Sequence, residues 1–168
     1  MRRIAIIGRS GGGKSSLARR LGAKLATPVI HLDVLFWLPG WKESEAEPFR
    51  QRLAAALNAE TWITDGNFTG IAADLHLAGA DTIVWVDQPR MVCLWRAFAR
   101  AVRERGRNRA DMAEGCDEKI DLPFLAYIWN WDRDTRPRVE AALAHHGGAA
   151  RLLRLTSDAQ IEAFLATL

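Results

Sequence analysis

The sequence predicts an α/β fold with a parallel β-sheet, and two features of the chain support this. Short apolar runs alternate with amphipathic stretches along the 168 residues without an internal repeat, which is typical of βα units rather than a helical bundle or a β-sandwich. A glycine-rich segment joins the first apolar run to the first amphipathic stretch. At this length we expect one domain, spanning residues 1–168.

Five apolar runs predict the strands of this sheet. The first, a continuous β-branched run, is typical of a central strand covered on both faces. The predicted strands are, in order, Arg3–Ile7, Val29–Leu32, Thr61–Thr64, Thr82–Val86 and Arg151–Leu155. Aspartates follow the second, third and fourth of these, namely Asp33, Asp65 and Asp87.

The amphipathic stretches predict the helices between the strands. Lys14–Leu25 places leucines four residues apart on one face, and Pro28 prevents its continuation. Gly106–Asp121 is predicted to be an exposed loop, and Pro137 to kink or divide the helix that begins after it. The other predicted helices are Glu45–Ala59, Pro89 to about Arg105, Asp121–Gly147 and one that begins at Asp158.

The composition is that of a packed globular protein, with 49% hydrophobic and 26% charged residues. The sequence shows neither a signal-peptide core nor a membrane span, so we expect a cytoplasmic protein without a membrane partner. Cys93 and Cys116 have no metal-like or CxxC spacing and are expected to be structural. Five tryptophans that fall in predicted strands or helices are expected to pack in the core or between helices: Trp62, Trp85, Trp95, Trp129 and Trp131.

The net charge of +3 is unevenly distributed. Arg96–Arg109 contains six arginines against Glu104, so the rest of the chain is slightly acidic. One positive segment favours a local anion site over a surface that binds nucleic acid.

One motif indicates the chemistry. Gly8–Ser15 matches GxxxxGK[ST] and lies between a predicted strand and a predicted helix, which is the context of a P-loop that binds phosphates. Glycines let main-chain amides converge on phosphate oxygens at a helix N-terminus, and a plain flexible turn would need neither the lysine nor the hydroxyl. We therefore expect ATP and Mg²⁺ as cofactors. The predicted nucleotide-binding residues are Gly8, Arg9, Ser10, Gly11, Gly12, Gly13, Lys14, Ser15 and Ser16.

A magnesium ion needs hard oxygen ligands beside the phosphates, and the Ser15 hydroxyl is one. Asp33, Asp65 and Asp87 are all candidates for a second ligand, because carboxyl ends of parallel strands face the ligand crevice. Asp65 is preferred since Gly66 lets the chain turn away from the phosphates. A turn or helix-cap role is the alternative for such an aspartate.

Several longer segments resemble a known family. GRSGGGKSS, HLDVLFWLPGW, ITDGNFTG, VDQPR and RGRNRADMAEGCDEK are similar to the DNA topology modulation protein family of adenylate-kinase-related P-loop proteins. The resemblance implies a nucleoside monophosphate kinase-like, three-layer P-loop NTPase fold with strand order 2-3-1-4-5. It also implies an arginine-bearing lid near residues 100–121, an acceptor-side segment near residues 34–60, and a water-mediated magnesium ligand at Asp65.

The chain departs from that pattern after Asp65-Gly66. Adenylate kinases continue with an aromatic residue, a proline and an arginine that grips the acceptor phosphate, whereas this chain reads Asn67-Phe68-Thr69-Gly70. That arginine is absent, which leaves three substitutes for a phosphorylated acceptor: Arg50, Arg52 and Arg90.

The remaining candidates concern the acceptor and the transferred phosphate. Asp33 is predicted to accept a hydroxyl proton as a general base, whereas His31 is predicted to be an ordinary strand residue. Arg103, Arg107 and Arg109 are predicted to stabilise the γ-phosphate, a role worth about 10³ to 10⁵ in rate for such arginines. The predicted substrate contacts are Asp33, Trp37, Asp65 and Asn67.

Together these features predict a P-loop kinase that transfers the γ-phosphoryl group of ATP to a small nucleotide or hydroxylated metabolite. One alternative is a nucleotide-gated, DNA-binding or topology-modulating regulator. Another is a slow NTPase without an acceptor. A monomer is plausible, and the oligomeric state stays open.

Overall fold

A computed structural model describes residues 1–168 as a three-layer α/β fold. The first half contains β1 (Arg3–Gly8), α1 (Lys14–Leu25), β2 (Val29–His31), α2 (Leu32–Phe36), β3 (Trp37–Leu38), β4 (Lys42–Glu43), α3 (Ala46–Ala56), β5 (Trp62–Asp65) and α4 (Thr69–His76). The second half contains β6 (Thr82–Val86), α5 (Arg90–Arg103), α6 (Leu122–Asp134), α7 (Arg136–His146), β7 (Arg151–Leu155) and α8 (Asp158–Ala166).

The main sheet has five parallel strands in the order β2-β5-β1-β6-β7. These are the five predicted strands, and the predicted order 2-3-1-4-5 is confirmed. Strand β1 lies in the centre, with Ile4 to Ile7 fully buried. All the strands point the same way, so their carboxyl ends meet at one edge of the sheet.

Each face of the sheet is covered by helices. Ile4 and Ile6 pack with Leu17 of α1 and Ile161 of α8 on one face. Ala5 and Ile7 pack on the other face, in a cluster that includes helices α4, α6 and α7. This alternation along one strand explains why β1 reads as a continuous apolar run.

The structure corrects the prediction around β2. The strand ends at His31, and Leu32 and Phe36 lie one turn apart on α2, so both face the cluster formed by Phe49 and Leu53. The predicted position of Asp33 at a strand end is therefore wrong, because Asp33 belongs to this short helix.

One further helix and a two-stranded hairpin were not predicted. Helix α4 is short and lies between Gly66 and Gly79, so its sequence pattern resembles that of a turn and did not predict a helix. The two-residue strands β3 and β4 form an antiparallel hairpin, which Gly40 closes at a φ of 79°. The division at Pro137 is confirmed, since α6 ends at Asp134 and Pro137 lies in the first turn of α7.

Two tryptophans do not pack in the core, and the predicted loop at 106–121, which contains no helix or strand, is less exposed than expected. Trp95 is 69% exposed and Trp129 is 49% exposed, whereas Trp62, Trp85 and Trp131 are buried. The segment 106–121 is only partly exposed, because it buries a group of residues against the hairpin and the cleft: Asp111, Met112, Ala113, Cys116 and Glu118. No helix has both the length and the apolar character needed to cross a membrane.

Candidate active site

The P-loop lies at the carboxyl edge of the sheet, between β1 and α1. Gly8 and Gly11 have positive φ angles, and a Cβ at either would collide with a main-chain carbonyl, that of Val86 or of Cys93. Gly13 also has a positive φ but faces open space. The first two glycines therefore let the loop pack tightly, and the third lets it turn into the helix.

Lys14, at the first position of α1, donates a hydrogen bond from Nζ to the Arg9 carbonyl at 3.2 Å. Burial lowers the pKa of Lys14, and this effect exceeds the opposing influence of the Asp65 and Asp33 carboxylates. The ammonium group is thus held inside the loop curl, in a setting that favours a strong interaction with an anion.

The side chain of Arg9 packs against α6. Its side chain is only 2% exposed and forms an ion pair with Asp132 on α6. Burial alone would raise the pKa of Asp132, but hydrogen bonds from Arg90 and Arg136 outweigh it and lower that pKa to about 2. The Arg9 side chain therefore anchors the loop to α6.

The three candidate carboxylates for magnesium have different surroundings. Asp87 is buried and is bound by Arg136, at 2.6 Å, and by Arg154, which makes it structural. Asp65 is also buried, and its Oδ2 lies 2.7 Å from His31 Nδ1. Since β2 and β5 pair with His31 opposite Asp65, the sheet register brings this histidine to the candidate magnesium ligand.

Asp33 lies half-buried at the start of α2 and lines the same cleft. Burial and the neighbouring Asp65 charge raise the pKa of Asp33 to about 6, although Lys14, a hydrogen bond from Trp37 and Arg109 act in the opposite direction. A carboxylate with a pKa near 6 is largely ionised at neutral pH and accepts protons more readily than an exposed aspartate.

Asn67 and Trp37 were predicted to contact substrate. The Asn67 amide makes two hydrogen bonds with the Gly8 main chain, accepting from N at 2.8 Å and donating to O at 2.9 Å. The Asn67 side chain therefore ties the turn after β5 to the start of the P-loop. Trp37 lines the cleft and packs edge-on against Trp41, with ring centroids 5.5 Å apart.

Residues 100–121, which were predicted to form a lid and are called the lid segment below, line part of the cleft. Main-chain hydrogen bonds join Gly106 to Glu118 at 2.9 Å and Glu118 to Arg107 at 3.0 Å. Arg109 forms ion pairs with Asp111 at 3.2 Å and Glu118 at 2.8 Å. Of the three predicted lid arginines, Arg109 is thus enclosed by protein.

The other two lid arginines lie at the rim of the cleft. The Arg103 side chain is 74% exposed and pairs with Glu104 at 2.8 Å, and Arg107 is exposed. The lid also reaches the P-loop, since burial would raise the pKa of Asp111 but Arg109 and a hydrogen bond from Ser15 lower it.

Three residues of this site were not predicted: His31, Asp111 and Glu118. For His31 the sequence offered no partner nearby, and the pairing depends on strand register. For Asp111 and Glu118 a signal was present, since these are acidic residues next to an arginine-rich run, and buried arginines need compensating charge.

These residues surround one cleft of about 1290 Å³, above the range of ~300–1,000 Å³ typical of single small-molecule sites. The cleft is therefore large enough for two ligands. The predicted site residues that line it are Ser10, Gly11, Gly13, Lys14, Ser15, Ser16, Asp33, Trp37, Asp65, Asn67, Arg103, Arg107 and Arg109. Gly8, Arg9 and Gly12 support the loop from behind.

No protein-family model matches the chain, and no curated protein matches its sequence. Solved structures do match its fold. Shikimate kinase from Acinetobacter baumannii in complex with shikimate has a TM-score of 0.62 at 15% identity, covering 99% of this chain and 90% of that one. Shikimate kinase from Bacteroides thetaiotaomicron has a TM-score of 0.57 at 18% identity, covering 99% and 95%.

Deoxyadenosine kinase from M. mycoides with bound dCTP also matches, with a TM-score of 0.51 at 13% identity, covering 98% of this chain and 97% of that one. The chain therefore has the P-loop kinase-like fold that shikimate kinase and deoxyadenosine kinase share. The narrower resemblance to the DNA topology modulation protein family is not confirmed by these matches.

Proposed function

We propose that this protein is a magnesium-dependent phosphotransferase that moves the γ-phosphoryl group of ATP to a hydroxyl group of a small molecule. One observation carries the proposal: Lys14 of the P-loop and the proton-accepting Asp33 lie in the same cleft, close enough that each charge shifts the pKa of the other group. A phosphate site beside a general base is what transfer to a hydroxyl requires.

The donor side would be formed by the P-loop. Main-chain amides from Gly11 to Lys14 and the start of α1 would hold the phosphates, with the Lys14 ammonium group at the β and γ positions. The residues present fit a magnesium ion, because Ser15 and the buried Asp65 both offer hard oxygens. Mg²⁺ would supply neutralisation of phosphate charge, and His31 would fix the orientation of Asp65 through their 2.7 Å contact.

On the acceptor side, Asp33 would take the hydroxyl proton as the oxygen attacks phosphorus. The new bond joins the acceptor oxygen to the γ-phosphorus, the bond from that phosphorus to the β–γ bridging oxygen breaks, and ADP leaves. Arg103 and Arg107, which lie at the rim of the cleft, would neutralise the charge that develops on the transferred group, as arginines in such sites do. Trp37 would fix Asp33 through its hydrogen bond.

The alternative of DNA binding has less support, because most of the arginine-rich segment is already paired. Arg96 binds Asp158 at 2.5 Å. Arg100, Arg103 and Arg109 bind acidic residues of the lid segment. A surface whose positive charges are neutralised internally releases few counterions from DNA.

The test is a screen of metabolites and nucleotides for ADP release at saturating Mg-ATP, with Lys14→Ala and Asp33→Asn run in parallel. We expect one compound class to stimulate turnover in the wild type and neither variant to respond. Stimulation that survives Lys14→Ala would place the activity elsewhere. Turnover that no compound stimulates, combined with salt-sensitive DNA binding, would favour the regulatory alternative.

A further inference from the structure

The cationic groups near the acceptor end of the cleft already have partners. We define the acceptor end as the part lined by Asp33, Trp37, Trp41, Glu43 and Tyr127. Arg109, whose guanidinium lowers the pKa of Asp33, is bound by the buried carboxylates of Asp111 at 3.2 Å and Glu118 at 2.8 Å. The Lys119 Nζ lies 5.8 Å from the centre of the Trp41 ring. A new anion there would have to compete with existing contacts.

The three arginines that could replace the missing adenylate-kinase arginine also point elsewhere. None of them lines the cleft. Arg50 binds Asp74 at 2.6 Å. Arg52 binds the Leu35 carbonyl at 3.0 Å, and Arg90 binds Asp132 at 2.9 Å.

Negative charge, by contrast, is abundant at this end. Asp33, Glu43 and Asp65 all line the cleft, and Asp33 and Asp65 lie close enough together to repel each other. A phosphate or carboxylate placed among these groups would be repelled, because like charges in a partly buried site are weakly screened.

The walls of this end are aromatic. Trp37 and Trp41 meet edge to face, with planes at 68°, and the rings of Phe124 and Tyr127 are nearly parallel, at 20°. All four line the cleft. Flat aromatic faces beside an acidic group favour a planar ligand that carries polar atoms on its edge.

We infer that the acceptor is an uncharged compound that joins a flat ring to a hydroxyl group, as a nucleoside does, and that phosphorylated or carboxylated acceptors are excluded. This rests on the proposed function and narrows it. The phosphoryl group goes to the hydroxyl beside Asp33, the ring lies against the aromatic walls, and the arginine that acts on Asp33, Arg109, is already paired with Asp111 and Glu118.

Comparing each nucleoside with its own monophosphate isolates the effect of the acceptor's charge. We would measure ADP release at saturating Mg-ATP with purine and pyrimidine nucleosides, each against its own 5′-monophosphate, and with shikimate as a ring alcohol that carries a carboxylate. The expected result is stimulation by at least one nucleoside, with kcat/KM at least tenfold above that of its monophosphate, and none by shikimate.

Three outcomes overturn the inference while Lys14-dependent ATP binding persists. They are preference for a monophosphate over its nucleoside, stimulation by shikimate, and no stimulation by any uncharged ring compound. Loss of Lys14-dependent ATP binding is a separate result, which removes the proposed function itself.

A charge reversal at the edge of the site gives an independent check. Glu43 is exposed and lines the acceptor end, so Glu43→Lys should raise the ratio of kcat/KM for monophosphate over nucleoside severalfold. Glu47→Lys, an exposed position outside the cleft, is the matched control and should leave the ratio unchanged. An unchanged ratio in Glu43→Lys would overturn the placement of the acceptor at this end.

Discussion

Replacing Asp33 with asparagine should stabilise the protein while it removes activity. Asparagine has nearly the same shape as aspartate but no ionisable group, so it avoids the cost of a charge next to Asp65. The raised pKa of Asp33 measures this cost: burial and the Asp65 charge raise that pKa from 3.8 to about 6. A shift of about two units corresponds to about 3 kcal/mol.

The sign of the effect follows from proton binding. Well below pH 3.8 Asp33 is protonated in both the folded and the unfolded chain, and its contribution to stability is complete. As pH rises, the unfolded chain ionises near pH 3.8 and the folded chain only near pH 6, so the folded state loses about 3 kcal/mol between these two values. Asp33→Asn lacks this loss, and its advantage over the wild type should grow as pH rises from about 4 to above 6 and then stay constant to pH 8.

The assay is urea denaturation of both proteins at several pH values between 4.5 and 8, with Asp117→Asn, an exposed lid position, as the control for a generic carboxylate change. The free energy of unfolding of Asp33→Asn should exceed that of the wild type most at pH 8. Equal stability of the two proteins at every pH would refute the claim that the ionised carboxylate of Asp33 destabilises the folded protein.

The other predictions concern residues of the P-loop and its supports. Lys14→Ala and Asp65→Asn should each abolish ADP release while circular dichroism and the thermal transition show an intact fold; turnover near the wild-type rate would remove that residue from the mechanism. Arg9→Ala should lower the free energy of unfolding by about 2–4 kcal/mol in urea, because it removes a buried side chain and a partner of Asp132; a loss below 0.5 kcal/mol would contradict the anchoring role. Asn67→Ala should cost about 1–2 kcal/mol of stability through its two lost hydrogen bonds and weaken Mg-ATP binding in calorimetry, whereas unchanged binding would separate Asn67 from the P-loop. The kcat/KM of the wild type should rise with pH through about 6, as Asp33 loses its proton, and a flat profile between pH 5 and 8 would argue against Asp33 as the base.

The sequence predicted the sheet well because the information is local. Each strand is a short apolar run bounded by glycine, proline or aspartate, and GxxxxGK[ST] needs only eight consecutive residues. The strand order came from the resemblance to nucleoside monophosphate kinases, and the structure confirms it.

What the sequence could not supply depends on contacts between distant residues. His31 and Asp65 are 34 positions apart and meet only because β2 and β5 pair in one register. Arg9 fits a phosphate-binding loop by position, but its side chain turns to Asp132, which is 123 residues away. Local patterns do not contain such pairings.

The lid arginines illustrate the same limit. Six arginines within fourteen residues indicate an anion site, but the number available depends on which acidic residues fold back on them. Glu118 lies beneath both Arg100 and Arg109, and that arrangement becomes visible only when the lid segment is seen docked on the cleft.

Calorimetric titration of Mg-ATP into the wild type and Lys14→Ala tests the central claim most directly. We expect one binding site per chain in the wild type, and at least a hundredfold weaker binding in the Lys14→Ala variant, whose thermal transition should be unchanged. Equal binding by the two proteins, or no heat from the wild type, would contradict the assignment of the P-loop as a nucleotide site.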